Sequence, residues 1–283
     1  MKSIIARSLI AVLLVAVSKP STAAEAISLT RQDNKTVKAN VYTPSITPCL
    51  GVAIISHGAG GTEDGYRYLG DELSSLGYLT LVVDHQESDR SALRKYISGN
   101  GLKKGLENII TDPDAYRGRF MDIAAAKQWA QTKCQSSESI LAGHSMGAAT
   151  VMMEAGAKNN LGIVGGDSFN LYIALSPQGV GSIFPENAWA KLNKPVLSVT
   201  GTRDTELGGA SWETRTEPFN NMPVGCKWLA VIDGATHLNF AGVGMSRKVT
   251  ELTSNTIASF IEGVHRGKCQ DAGQMRGVNL LVK

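Results

Sequence analysis

The hydrophobic residues of this chain fall in short continuous runs separated by stretches of helical period. Residues 52–55, 78–83, 139–142, 171–175, 195–200 and 228–232 are apolar or small on almost every successive position. A strand apolar on both faces must be covered on both, which is the mark of a parallel sheet between helical layers. Residues 68–76, 115–132 and 148–158 have helical spacing. The final helix places Ile257, Phe260, Ile261 and Val264 on one face. Residues 27–44 read as strands with a turn at Asp33-Asn34, and 228–232 as the last strand. The pattern predicts an α/β architecture, a mostly parallel central sheet with helices on both faces. No linker divides it, so one domain is expected over 25–283. The gap between Ser176 and Pro195 holds a loop and one short helix over 185–192, too little for a cap domain. The polar segment 86–114 is long for its place, and reads either as a lid or as a solvated surface excursion.

The third run leads into Gly143-His144-Ser145-Met146-Gly147 and then a helix. Strand, G-x-S-x-G and helix together form a nucleophile elbow, a sharp turn that exposes the serine oxygen. Its crowding explains glycine two residues to each side. Ser145 is the candidate nucleophile and needs a base. Of the five histidines, His57 lies in a glycine loop, His85 ends a strand, His144 adjoins the serine and His265 sits at the far end of the last helix. His237 follows the last strand in a loop that can return to Ser145, and is the candidate base. Asp204, a turn beyond the run 195–200, is the candidate orienting acid, with Glu206 as its rival. Asp167 faces the wrong end of its strand, and Asp233 reads as a turn cap. Two backbone N–H donors should hold the oxyanion, from Met146 after the nucleophile and Ala59 in His57-Gly58-Ala59-Gly60-Gly61. His57, Gln178 and Trp212 are candidates for the substrate pocket. No metal-ligand spacing occurs, and no cofactor is implied.

The amino terminus changes the charge and compartment. Lys2 and Arg7 precede the apolar run 9–17, and small residues follow at 21–26. This is the pattern of a secretory signal peptide cleaved after Ala24 or Ala26, with 1–24 favoured. The run is too short to span a bilayer, so no stable membrane anchor is expected. The whole chain has 28 basic and 25 acidic residues; losing Lys2, Arg7 and Lys19 leaves 25 against 25. That balance and the lack of a basic stripe argue against nucleic acid as a partner. Four cysteines, Cys49, Cys134, Cys226 and Cys269, in an exported chain suggest two disulfides, with three possible pairings. The expected compartment is the periplasm or the medium.

These motifs resemble the α/β-hydrolase superfamily, with the nearest likeness to dienelactone-hydrolase-like and platelet-activating-factor acetylhydrolase-like serine esterases. Ser56-His57-Gly58-Ala59-Gly60-Gly61, Gly77-Tyr78 to Asp84-His85, Gly143 to Gly147, Gly201 to Asp204, Gly234-Ala235-Thr236-His237 and the stretch 212–219 carry it. The resemblance implies an ester hydrolase with Ser145, Asp204 and His237 as its triad, acting on a small-molecule ester, with a monomer favoured. Dienelactone hydrolases proper use cysteine where Ser145 stands. Secreted polyester hydrolases are related, but carry aromatic residues where this chain has Ala59 and Gln178. Polyester or lipid cleavage, amide cleavage and an inactive binding protein are the alternatives. In the fold so implied, the strands after Cys49 and Cys134 are neighbours and the last helix returns Cys269 to Cys226, which implies Cys49–Cys134 and Cys226–Cys269.

Overall fold

The computed structural model describes residues 24–205, 209–244 and 246–283. The expected signal segment 1–23 and Glu206 lie outside the described residues. Nine strands form one sheet in the order β1-β2-β4-β3-β5-β6-β7-β8-β9. β1 (Glu25–Thr30) and β2 (Thr36–Tyr42) form an antiparallel hairpin on one edge. β2 also runs antiparallel to β4 (Tyr78–Val83). β3 (Gly51–Ser56), β4, β5 (Ser139–His144), β6 (Leu171–Leu175), β7 (Val196–Arg203) and β8 (Lys227–Thr236) are parallel. β9 (Val278–Val282) closes the other edge antiparallel to β8.

Successive side chains along a strand point to opposite faces, and the two cores follow from that. Val52 and Ile54 of β3 join one buried cluster with Ile123 and Ala126 of α4 (Pro113–Lys133) and Val151 of α5 (Met146–Glu154). Ala53 and Ile55 join the opposite cluster with Leu69 and Leu73 of α1 (Arg67–Ser75) and Ile257, Phe260 and Ile261 of α8 (Arg247–His265). The continuous apolar runs thus lie between two helical layers, as their composition requires. Both disulfides form with the implied pairing, at Cα–Cα 6.0 Å for Cys49–Cys134 and 5.4 Å for Cys226–Cys269. The first ties the start of β3 to the end of α4, the second the start of β8 to the chain beyond α8.

Two sequence expectations need correction, and one left open is filled in. The strand over 228–232 extends over 227–236 and is not the last; β9 follows. β9 is a half-exposed edge interrupted by Asn279, so its apolar signal is weak. The helix expected over 185–192 is a series of turns. Asn187 sits there at φ 58°, which stops a helix from propagating, while Ala188, Trp189 and Leu192 are buried by tertiary packing. The segment 86–114, open between a lid and a surface excursion, carries helices of its own. It folds as α2 (Arg90–Ile97) and α3 (Gly101–Ile110) before entering α4. Asp89 caps α2 by accepting from the Ala92 amide at 2.6 Å.

Candidate active site

The carboxyl ends of the parallel strands converge on Ser145. The residue stands between β5 and α5 at φ 55°, ψ −118°, a backbone region that costs a non-glycine residue on the order of 1–3 kcal/mol. The turn leaves no room beside it. A Cβ on Gly143 would lie 2.4 Å from the Gly147 carbonyl oxygen, and a Cβ on Gly147 only 2.0 Å from the Ser56 carbonyl oxygen. Both glycines are therefore steric requirements of the elbow, as the motif predicts. Ser145 itself is partly exposed.

His237 begins the short helix α7 (His237–Phe240) at the end of β8. Thr236 and Asn239 form a capping box around its first turn. Its Nδ1 lies 2.9 Å from Asp204 Oδ1. Asp204 follows β7 and is fully buried, so its charge must be compensated by hydrogen bonds. The Thr200 hydroxyl donates to Oδ2 at 2.9 Å, and the Ser176 hydroxyl donates to the same oxygen. Arg215 Nε is 2.9 Å from Oδ1 and donates to the Asp204 backbone carbonyl at 2.8 Å. Arg215 is itself buried and also donates to the carbonyls of Ser176 and Pro177. It thereby ties the acid's loop to the end of β6. Sequence reading missed Arg215, Ser176 and Thr200, although Arg215 lies inside the stretch 212–219 marked as a shared feature.

Ser145 and His237 both open on a cleft of about 630 Å³. Lys104, Glu107 and Ile110 of α3, with Thr111, form one wall, and Gln178, Ser182, Thr205 and Arg215 line the rest. The polar segment left open by the sequence thus builds a wall of the cleft. Gln178 lines the cleft. Trp212 is not among the cleft residues; it packs on the Phe219, Leu229 and Val231 cluster. His57 is also corrected, because it is fully buried and its ring is engaged on both sides. Its Nδ1 donates to the Gly58 carbonyl at 2.7 Å, and its Nε2 accepts from the His85 amide at 3.1 Å. Burial, the largest influence, lowers its pKa from the ordinary value.

The glycine loop that follows β3 is held from beneath. Arg119 of α4 is completely buried and donates to the His57 carbonyl at 2.6 Å, the Ser56 hydroxyl at 3.0 Å and the Ser88 hydroxyl at 2.9 Å. His85 lies between Ser56 Oγ at 2.8 Å and Asp122 Oδ2 at 2.9 Å. Asp122 in turn accepts from Arg31 Nη1 at 3.0 Å. Burial pushes the Asp122 carboxyl up to about 7 against the opposing pull of Arg31. The same burial drives the His85 pKa well below the usual histidine value, with the Arg119 charge acting in the same direction. The amides around Ala59 have partners: Gly58 N–H donates to Tyr66 Oη at 2.9 Å and Gly60 N–H to the Ser88 carbonyl at 2.8 Å.

No protein-family model and no curated protein sequence matches the chain. Solved structures do. A dienelactone hydrolase from Anabaena variabilis aligns at TM-score 0.57 and 19% identity, covering 82% of this chain and 95% of that one. An α/β serine hydrolase homologue from Coxiella burnetii aligns at TM-score 0.58 and 18% identity, over 82% of this chain and 97% of that one. Est1E from Butyrivibrio proteoclasticus aligns at TM-score 0.55 and 18% identity, over 85% and 100% respectively. At such identities the likeness speaks to architecture, and together with the strand order and the elbow it establishes that this chain has the α/β-hydrolase fold.

Proposed function

We propose that this protein is an exported serine hydrolase that cleaves short-acyl carboxylic esters through an acyl-enzyme. One observation carries the reading. Ser145, on its strained elbow, shares a cleft with His237, whose other ring nitrogen is bound to the buried Asp204. His237 Nε2 takes the Ser145 proton as Oγ attacks the ester carbonyl. The oxyanion of the tetrahedral intermediate lies against the amides of Ala59 and Met146. Met146 is the first residue of α5, so its N–H has no acceptor within the helix. His237 then returns the proton to the departing alcohol, leaving Ser145 acylated, and activates water to release the acid. Asp204 fixes the Nδ1–H tautomer and stabilises the imidazolium. The neighbours named as esterases and dienelactone hydrolases support the class, and the two disulfides support export.

The short-acyl preference follows from the wall chemistry. Lys104, Glu107, Thr111, Gln178, Ser182 and Thr205 all face the cleft, with Ile110 the one aliphatic side chain among its described lining residues. A methylene gains about 0.8 kcal/mol only when it leaves water for an apolar surface, and here most of that surface belongs to the carbon stems of polar side chains rather than to an aliphatic pocket. A nitrophenyl ester series from two to sixteen carbons tests the reading. The expected optimum in kcat/KM lies at acetyl to butyryl, without a rate jump above the micelle concentration. An optimum at twelve carbons or longer contradicts it, and turnover confined to amides contradicts the ester class.

A further inference from the structure

A chain of three hydrogen bonds passes from the glycine loop to the base-bearing loop, and none of its side chains has a role in the scheme above. The Gly58 amide lies 2.9 Å from Tyr66 Oη, Tyr66 Oη lies 2.9 Å from His144 Nδ1, and His144 Nε2 lies 3.1 Å from the backbone carbonyl oxygen of His237. Tyr66 and His144 are both buried. We infer that Tyr66 and His144 are positioning residues that lock the oxyanion loop to the loop of the catalytic base, one on each side of Ser145. The inference rests on the proposed roles of Ser145 and His237.

The polarity of the chain is determined from its ends. A carbonyl only accepts, so His144 Nε2 carries a proton and donates to His237. In a neutral imidazole Nδ1 is then the acceptor, and the Tyr66 hydroxyl donates to it. The phenol oxygen is left to accept from the Gly58 amide, which only donates. Every group uses the capacity it has, in a single direction. A doubly protonated His144 would set a donor against the Tyr66 hydroxyl proton. Burial guards against that, holding the His144 pKa well below the ordinary value, with His237 and Arg215 acting the same way.

Geometry places this chain where its movement would matter. Gly58 immediately precedes Ala59, and a Cβ on Gly58 would lie 3.3 Å from Ser145 Cβ and 3.2 Å from His144 Nδ1. The His144 and His237 rings lie 4.6 Å apart, so a shift of one is felt by the other. Tyr66 sits at φ 57°, ψ 23°, a left-handed backbone that suits glycine far better than tyrosine. The strained position is thus occupied by the side chain whose hydroxyl bridges the two loops.

Tyr66→Phe removes one oxygen and keeps the ring. We expect kcat to fall on the order of ten- to a hundredfold, as misplacement of reacting groups does, with KM changed less than about twofold. His144→Leu should fall as far, and the double variant no further than the worse single one. His144→Gln puts an amide N–H near the place of Nε2 and should recover part of the rate lost in His144→Leu. Nitrogen NMR of the unliganded wild-type protein should find His144 protonated on Nε2 and bare on Nδ1, a readout that needs no substrate. The inference is overturned by an Nδ1-protonated His144, or by folded Tyr66→Phe and His144→Leu variants that each keep wild-type kcat. Wild-type protein that neither hydrolyses esters nor takes a fluorophosphonate overturns the proposed function instead, and the positioning role with it.

Discussion

Two sets of serine, histidine and aspartate in this molecule have the same histidine–carboxylate distance. In one, His237 Nδ1 lies 2.9 Å from Asp204 Oδ1, and the histidine shares a cleft with Ser145. In the other, His85 Nδ1 lies 2.9 Å from Asp122 Oδ2, and its Nε2 lies 2.8 Å from Ser56 Oγ. The histidine–carboxylate distances do not tell them apart; surroundings do. Ser56 ends an ordinary strand, is fully buried and receives a hydrogen bond from Arg119, so its oxygen has no route to a substrate. Ser145 is lifted out of its strand by the elbow, and the side chain of His237 is 28% exposed against 0% for His85. The buried set holds the glycine loop after β3 in place. The open set, in our reading, carries the chemistry.

The contrast predicts opposite kinds of damage. Ser145→Ala should lower kcat on the order of 10⁶-fold with unfolding by urea unchanged, whereas Ser56→Ala should retain turnover and lose about 1–3 kcal/mol of stability. Steady-state kinetics beside urea titrations check this, and an inactive Ser56→Ala with an active Ser145→Ala would invert the account. The acids should divide likewise. Asp204→Asn disturbs the tautomer of the base and should cost on the order of 10⁴ in kcat. Asp122→Leu leaves the buried His85 without its carboxylate partner and takes one of three carboxylates from Arg31, which keeps Asp33 and Glu87, and should cost about 1–3 kcal/mol of stability.

A third prediction concerns pH. His57, His85 and His144 are buried, and their pKa values are lowered from 6.5 chiefly by that burial. The unfolded chain takes up protons there that the native state refuses. Their contribution to stability is therefore present above pH 6.5 and lost as pH falls below it, by up to about 1.4 kcal/mol per pH unit for each histidine. Asp122 acts oppositely. Its carboxyl, raised from 3.8 to about 7, contributes stability at low pH that is lost as pH rises through 7. Burial raises Glu63 and Asp71 in the same direction as Asp122, but the three histidines titrate from 6.5 in the unfolded chain, so urea midpoints should fall between pH 6.5 and 5; a flat or rising profile contradicts the neutral buried histidines. The smallest expected difference lies between the disulfides. Cys49–Cys134 spans 85 residues against 43 for Cys226–Cys269. Removing the longer should cost about 0.6 kcal/mol more by loop entropy alone, read as a difference in urea midpoints of the paired Cys→Ala variants.

Much of the open set was legible in the sequence, because elbow chemistry confines glycine to Gly143 and Gly147 and the strand ends carry Asp204 and His237. The buried set was not. Arg31 lies far in the chain from Arg119 and Asp122, and all three look like ordinary surface residues of a hairpin and a helix; only folding removes them from water. His57 shows the same limit, since a histidine in a glycine loop reads as a pocket residue until both ring nitrogens are found occupied. β9 escaped because a half-exposed edge strand carries few apolar positions; α3 does have a helical period at Leu102, Leu106, Ile109 and Ile110, but it is short and set in a polar stretch. Tyr66 gave no signal at all, since left-handed backbone at a tyrosine has no sequence mark.

The most direct test is to label the folded protein with a fluorophosphonate and locate the adduct by peptide mass mapping. The account predicts stoichiometric modification of Ser145, none on Ser56, and loss of labelling in Ser145→Ala. An unlabelled native protein, or an adduct on any serine other than Ser145, would contradict it.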